Sequence, residues 1–225
     1  MPPDFLATIG IELIYSIVVI ASSLIIYFST REIYNLTSHK GIKYFRTAFL
    51  FFALSFFFRF IIKLVIVAFN LPRILNIHPF FFDVGILFLF MYASTMAMFY
   101  LLYSVMWKKL ENNYGGIYIL HLLALIIAFI SISTPDAILL LTIEAIVLLL
   151  ISIESYMSYR KSAKKKSHSK LYTIYLLLFV FWVLNIIDIL VPNFFVLVQL
   201  IIFAASATLF LVIMYMVLRK LGSVK

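Results

Sequence analysis

The stretch Tyr44–Phe69, YFRTAFLFFALSFFFRFIIKLVIVAF, decides the reading of the whole chain. As a helix it is about 39 Å long at 1.5 Å per residue, enough to cross the roughly 30 Å hydrocarbon core of a bilayer. Yet Arg59 and Lys63 stand one helical turn apart, well inside the apolar run. Ionisable groups at membrane depth cost a few kcal/mol or more each on insertion scales, so this pair needs a reason. Their like charges share one helix face at i and i+4 and repel, so each calls for an acidic partner or an anionic ligand.

Working outward, similar apolar runs fill the rest of the chain. Of the 225 residues 65% are hydrophobic and 12% charged, with 24 Phe and 14 Tyr. A soluble domain is roughly 45–50% apolar. The first helix is predicted over Phe5–Ser29, followed by the loop REIYNLTSHKGIK and then the Tyr44–Phe69 helix. NLPRILNIHP breaks the pattern with two prolines. The third helix is predicted over Phe80–Trp107, and KKLENNYGG leads to a fourth over Ile117–Ile132. In the turn STPD, Ser133 or Thr134 can cap the next helix and Pro135 suits its first position. The fifth helix runs to Tyr159, the basic loop RKSAKKKSHSK follows, the sixth spans Leu171–Val191 and the seventh Phe194–Leu218. The expected fold is therefore all-α: a single seven-helix membrane domain over residues 1–225. The N-terminus MPPDFLATIG lacks a basic n-region and Glu12 enters the first run early, so that run reads as a retained helix.

Charge sets the expected orientation. Arg31, Lys40, Lys43, Arg46, Lys108, Lys109, Arg160, Lys161, Lys164, Lys165, Lys166, Lys170, Arg219, Lys220 and Lys225 fall on one side of the seven-helix layout, against Arg73 alone on the other. The C-terminus is then cytoplasmic and the N-terminus outside, in the cell membrane. The net charge of +9 follows this topology and not nucleic-acid binding. The absence of cysteine excludes disulfides, thiolate metal sites and cysteine nucleophiles.

The outer thirds of the chain echo each other. Ser29-Thr30-Arg31 with Ser38-His39 matches Ser158-Tyr159-Arg160 with Ser167-His168 in spacing. YASTMAMFYLLYSVMWKKL can be laid on FAASATLFLVIMYMVLRKL, with Ala93 on Ala204 and Phe99 on Phe210. Two parallel three-helix units, 5–110 and 136–221, joined by helix 117–132, would account for this, a device known in transporters. Chance matching of low-complexity apolar helices would account for it too.

At the level of Arg59 and Lys63 the same topology puts Glu12, Asp83, Glu144, Asn185, Asp188 and Gln199. Thr8, Glu12, Ser16 and Ser23 line one face of the first helix. Two cations and four acids at one depth form either an outward-facing pocket for a small anionic ligand or ion, or a network of ion pairs that only locks the bundle. Deeper, His121 and Glu154 form a candidate proton-responsive pair, with a packed histidine beside an interfacial acid as the plainer reading. Arg160, Lys161, Lys164, Lys165, Lys166 and Lys170 are a polybasic segment that contacts anionic lipid or merely anchors the topology. Asn35-Leu36-Thr37 matches a glycosylation sequon on the predicted cytoplasmic side, where it would not be used.

There is no GxSxG, no HExxH, no phosphate-cradling glycine loop and no metal spacing among the four histidines. No enzyme activity, cofactor or metal is expected.

The segment from Arg31 through KYFRTAFLFFALSFFFR resembles the first link and second helix of the seven-helix sensor modules of microbial histidine kinases. That resemblance implies a non-enzymatic sensor or transducer that passes helix movement to a cytoplasmic partner protein. The layout is also similar to microbial rhodopsins, but FVLVQLIIFAASATLFLVIMYMV lacks a retinal-bearing lysine. PQ-loop carriers share the 3+1+3 pattern; their proline–glutamine pair is absent here. Two functions stand open besides a scaffold: sensing, and transport or conduction through the same charged residues. The expected partners are lipid, a small anion or ion, a cytoplasmic protein and further copies of the chain.

Overall fold

A computed structural model of the chain describes the backbone of residues 3–69, 79–110, 116–133, 138–161, 167–190 and 196–222, and side chains within 10–65, 84–107, 116–133, 142–157, 160, 172–188 and 197–219. All of the described backbone except Ser38 and His39 is helical. The helices are α1 (Pro3–Thr37), α2 (Lys40–Phe69), α3 (Pro79–Leu110), α4 (Gly116–Ser133), α5 (Ile138–Lys161), α6 (Ser167–Leu190) and α7 (Val196–Gly222). Five stretches, Gly10–Thr37, Lys40–Val65, Val84–Trp107, Gly116–Ser133 and Leu197–Arg219, are long and apolar enough to cross a membrane; Tyr172–Asp188 is apolar but shorter.

The predicted first loop is not a loop. REIYNLT contains no glycine or proline, and α1 runs through it to Thr37. It stops at Ser38, which adopts φ 49° and returns its N–H to the carbonyl of Tyr34 at 2.7 Å. This is the left-handed C-terminal cap usually given to glycine. The Thr37 hydroxyl donates to Ile33 O at 2.7 Å, and α2 begins at once. Gly41 is buried at this corner because a Cβ there would lie 2.9 Å from the Trp107 ring at the far end of α3. His39 stands edge-on to the same ring, centroids 4.9 Å apart.

The helices close into a ring. Neighbours pack in the order α1, α2, α3, α5, α6, α7 and back to α1. α4 leans on α3 from outside and meets α5 only briefly. It buries Ala124, Ala128 and Ser131 along one edge and turns Tyr118, Leu122 and Phe129 outward, each more than half exposed. Large apolar side chains exposed all round the bundle suit a hydrocarbon surrounding, because no water has to be excluded from them.

The interior of the ring is aromatic. Phe49, Phe52 and Phe56 recur along the inner face of α2 and meet Phe181 and Trp182 of α6 and Phe210 of α7. Phe181 and Phe210 lie 4.8 Å apart by ring centroid. The phenylalanine-rich face of α2 is thus mainly core, with Phe57 left outside. These rings also hold α2 and α6 too far apart for their backbones to touch. Across that gap only side chains reach.

Candidate functional site

Arg59 projects from α2 into the ring one turn beyond Phe56. Its Nε and Nη2 donate to Glu12 Oε1 of α1 at 3.0 and 2.9 Å. Nη2 also donates to Asp188 Oδ2 of α6 at 3.1 Å, and Nη1 reaches Asn185 Oδ1 at 3.4 Å. The guanidinium lies 5.9 Å from the ring centroids of Tyr15 and Phe56. One turn along α2, Lys63 Nζ pairs with the other carboxylate oxygen, Glu12 Oε2, at 2.7 Å. Glu12 therefore carries both cations, which is how two like charges at i and i+4 coexist. The Lys63 side chain is 32% exposed and that of Arg59 15%, while Glu12 and Asp188 are 6% and 7%. The cluster opens toward Lys63 and is closed behind Arg59.

A second shell of contacts fixes the acceptors. Tyr15 donates its hydroxyl to Asn185 Oδ1 at 2.9 Å, and Asn185 Nδ2 donates to the carbonyl of Phe181 at 2.8 Å. The amide orientation is therefore determined: nitrogen toward its own helix, oxygen toward Tyr15 and Arg59. Asp188 Oδ1 is buried without a hydrogen-bond partner.

A single contact at 2.9 Å is worth on the order of 6 kcal/mol at an effective dielectric near 20. Taking each ion out of water costs several kcal/mol. With two cations against two carboxylates the cluster is neutral, and these opposing terms nearly cancel. Its effect is on arrangement: Arg59 ties α1, α2 and α6 into one geometry.

The structure brings together Arg59, Lys63, Glu12, Asn185 and Asp188, and adds Tyr15. Tyr15 lies three residues after Glu12, a spacing that puts the two on neighbouring positions of one helix face, and that spacing was the available signal. Glu144 is not in this network. α5 packs on α3, α4 and α6 and not on α1 or α2, so Glu144 faces Ser94 and Thr95 of α3 and Trp182 of α6. Trp182 is about 9 Å along α6 from Asp188. The side chain of Asp83 lies outside the described residues, as do those of Lys161, Lys164, Lys165, Lys166 and Lys170; Arg160 is exposed. Gln199 is buried on α7.

His121 and Glu154 do not meet. α4 turns His121 toward α3, where Tyr92 Oη lies 2.7 Å from Nδ1 and Tyr100 Oη 3.0 Å from Nε2. Both ring nitrogens are thereby occupied, and Glu154 sits half-buried on α5. Phe51 of α2 packs 6.4 Å from the same imidazole. Further along the bundle Ser104 of α3 and Tyr175 of α6 share a buried hydrogen bond of 2.7 Å. Among the described residues no group of His, Asp and Glu could hold a metal ion.

No protein-family model matches the chain, and no solved structure matches it. A protein of Archaeoglobus fulgidus described as "Uncharacterized protein" is 31% identical over 223 residues, covering 98% of this chain and 96% of the relative. Identity at that level along nearly the full length of both proteins means that the chain belongs to the same family as this archaeal protein.

Proposed function

We propose that this is an integral protein of the cell membrane with seven crossings, its N-terminus outside and its C-terminus cytoplasmic, that acts as a non-enzymatic sensor or transducer. The observation that carries the reading is that Arg59 links three helices, its own α2, the adjoining α1, and α6, which it reaches across the aromatic interior by side chain only. A small anion entering beside the part-exposed Lys63 competes with Glu12 or Asp188 for Arg59. Displacing Asp188 releases α6 from α2, and helix movement passes to the basic cytoplasmic ends and a partner protein there. The likeness of residues 31–59 to kinase sensor modules supports the same reading. The ring, in which α1–α3 and α5–α7 follow one another with α4 outside, is compatible with the 3+1+3 repeat reading.

Transport is the second reading. It is favoured by the buried hydroxyls of Ser23 and Ser55, which have no hydrogen-bond partner among the described residues and continue polar character into the ring. The cysteine-free chain allows both readings to be tested in one system. Spin labels on cysteine pairs at the ends of α2 and α6 opposite the cluster should change separation when acetate, phosphate or chloride is added, and should not do so in Arg59→Gln. Saturable flux of any of these anions into proteoliposomes, lost in a folded Arg59→Leu variant, would instead establish transport and sink the transducer reading.

A further inference from the structure

The buried acid that the Arg59 cluster leaves out has a site of its own. Glu144 is 1% exposed, and its Oε1 has no hydrogen-bond partner. Beside it, turned toward the carboxyl, Ser94 Oγ and Trp182 Nε1 are likewise buried and make no hydrogen bond to any other described residue. Thr95 completes the surround, with its hydroxyl proton committed to Met91 O at 2.9 Å, so its oxygen is left to accept. Buried polar groups are nearly always satisfied, and two such atoms converging on a carboxyl oxygen that itself lacks a close partner need an explanation.

The chemistry of the surround selects the guest. Among the described residues, the elements packed on α5 bring only neutral groups to this carboxyl: Ser94 and Thr95 from α3 and Trp182 from α6. On α4, His121 is turned away onto Tyr92 and Tyr100. On α6, Asp188 is engaged with Arg59. On α5 itself Glu154 is about 15 Å further along the helix. An ionised carboxylate with no counter-charge is therefore excluded by the cost of a bare buried charge. A metal cation is disfavoured as well, because the indole N–H is a donor only and points its positive end into the site. A protonated carboxyl fits: its carbonyl oxygen accepts from Trp182 Nε1 and Ser94, and its O–H donates to Thr95 Oγ1.

We propose that Glu144, with Ser94, Thr95 and Trp182, is a buried proton-binding site at the junction of α3, α5 and α6, separate from the Arg59 cluster and independent of the sensor reading. Releasing that proton would leave a charge among neutral groups, so it requires the three helices to part and admit water or a counter-ion. The site thereby couples proton occupancy to the packing of α5.

Infrared spectroscopy of the full chain in lipid tests this directly. The C=O stretch of a protonated carboxylic acid stands apart from the carboxylate and amide bands. At neutral pH the wild type should show it, with a small downshift in D2O, and Glu144→Gln should lack it. Glu144→Asp, which keeps an acid at the position, should move the band without abolishing it and guards against misfolding of the first variant. A spectrum without this band, or with one unchanged in both variants, overturns the proposal. Loss of the band on adding Na+ at constant pH also overturns it, since the site would then be a cation site.

Discussion

At the scale of single residues, Arg59 and Glu12 are the two side chains whose removal should be felt most. Arg59→Leu leaves Glu12 and Asp188 buried with Lys63 as their only cation among the described residues. Breaking a buried pair by deleting one partner costs about 3–5 kcal/mol, chiefly because the remaining charge stays buried. Glu12→Gln should cost a similar amount, since it strands two cations on Asp188. Asp188→Asn should cost less, because Glu12 still holds both cations and the new amide oxygen still accepts from Arg59. The double variant Glu12→Gln/Arg59→Gln should be less damaging than the sum of its parts. Unfolding in mixed micelles with increasing SDS gives the ranking. An Asp188→Asn variant weaker than Glu12→Gln would show that Glu12 is not the hub.

At the scale of elements, α4 is the helix with the least holding it. It meets the ring mainly through α3, and His121 is its polar attachment there. His121→Phe keeps the apolar bulk but removes two hydrogen bonds of about 0.5–1.5 kcal/mol each, leaving two tyrosine hydroxyls to find other partners. Amide hydrogen exchange in α4 should rise on the order of ten-fold while α2 and α3 keep their protection. Uniform exchange across all helices, or none gained in α4, would refute the attachment. The same helix explains what could be read from the residues alone. Apolar run length and basic ends mark each helix, so the elements were legible. Arg59 and Lys63 announced a site because charges at that depth demand partners, and Glu12, Asn185 and Asp188 were the polar groups level with them. Which helix lies beside which is not written in any run of residues. Glu144 was expected at the depth of Arg59, but it meets Trp182, about 9 Å along α6 from Asp188, on a helix that packs elsewhere; His121 sits on a helix that scarcely touches the one carrying Glu154. The α1–α2 corner was misread for a different reason: Ser38 takes a left-handed conformation that a serine does not advertise.

At the scale of the whole molecule, the number of crossings and their direction follow from one another. Five helices are long and apolar enough to span by length and composition, and in the proposed seven-crossing arrangement α5 and α6 close the ring with α1, α2, α3 and α7. α6 runs alongside the longer helices: its Asp188 and Asn185 meet Arg59 at one level while its Tyr175 meets Ser104 nearer the other end of α3, which supports the proposed crossing. Removing either α5 or α6 from the membrane would expose Glu144 or the Arg59 cluster on the open side of the ring. An odd number of crossings puts the two termini on opposite sides, and an even number puts them on the same side. On the proposed topology, the excess of Lys and Arg around the α1–α2 corner, after α3, between α5 and α6 and after α7 marks the cytoplasmic side. Single cysteines can be introduced into a chain that has none, and intact cells then distinguish the cases. Asp4→Cys should react with a membrane-impermeant maleimide added outside. Lys225→Cys and Arg160→Cys should react only after the membrane is opened. Labelling of positions 4 and 225 from the same side would overturn the proposed odd number of crossings, and with it the seven-crossing topology.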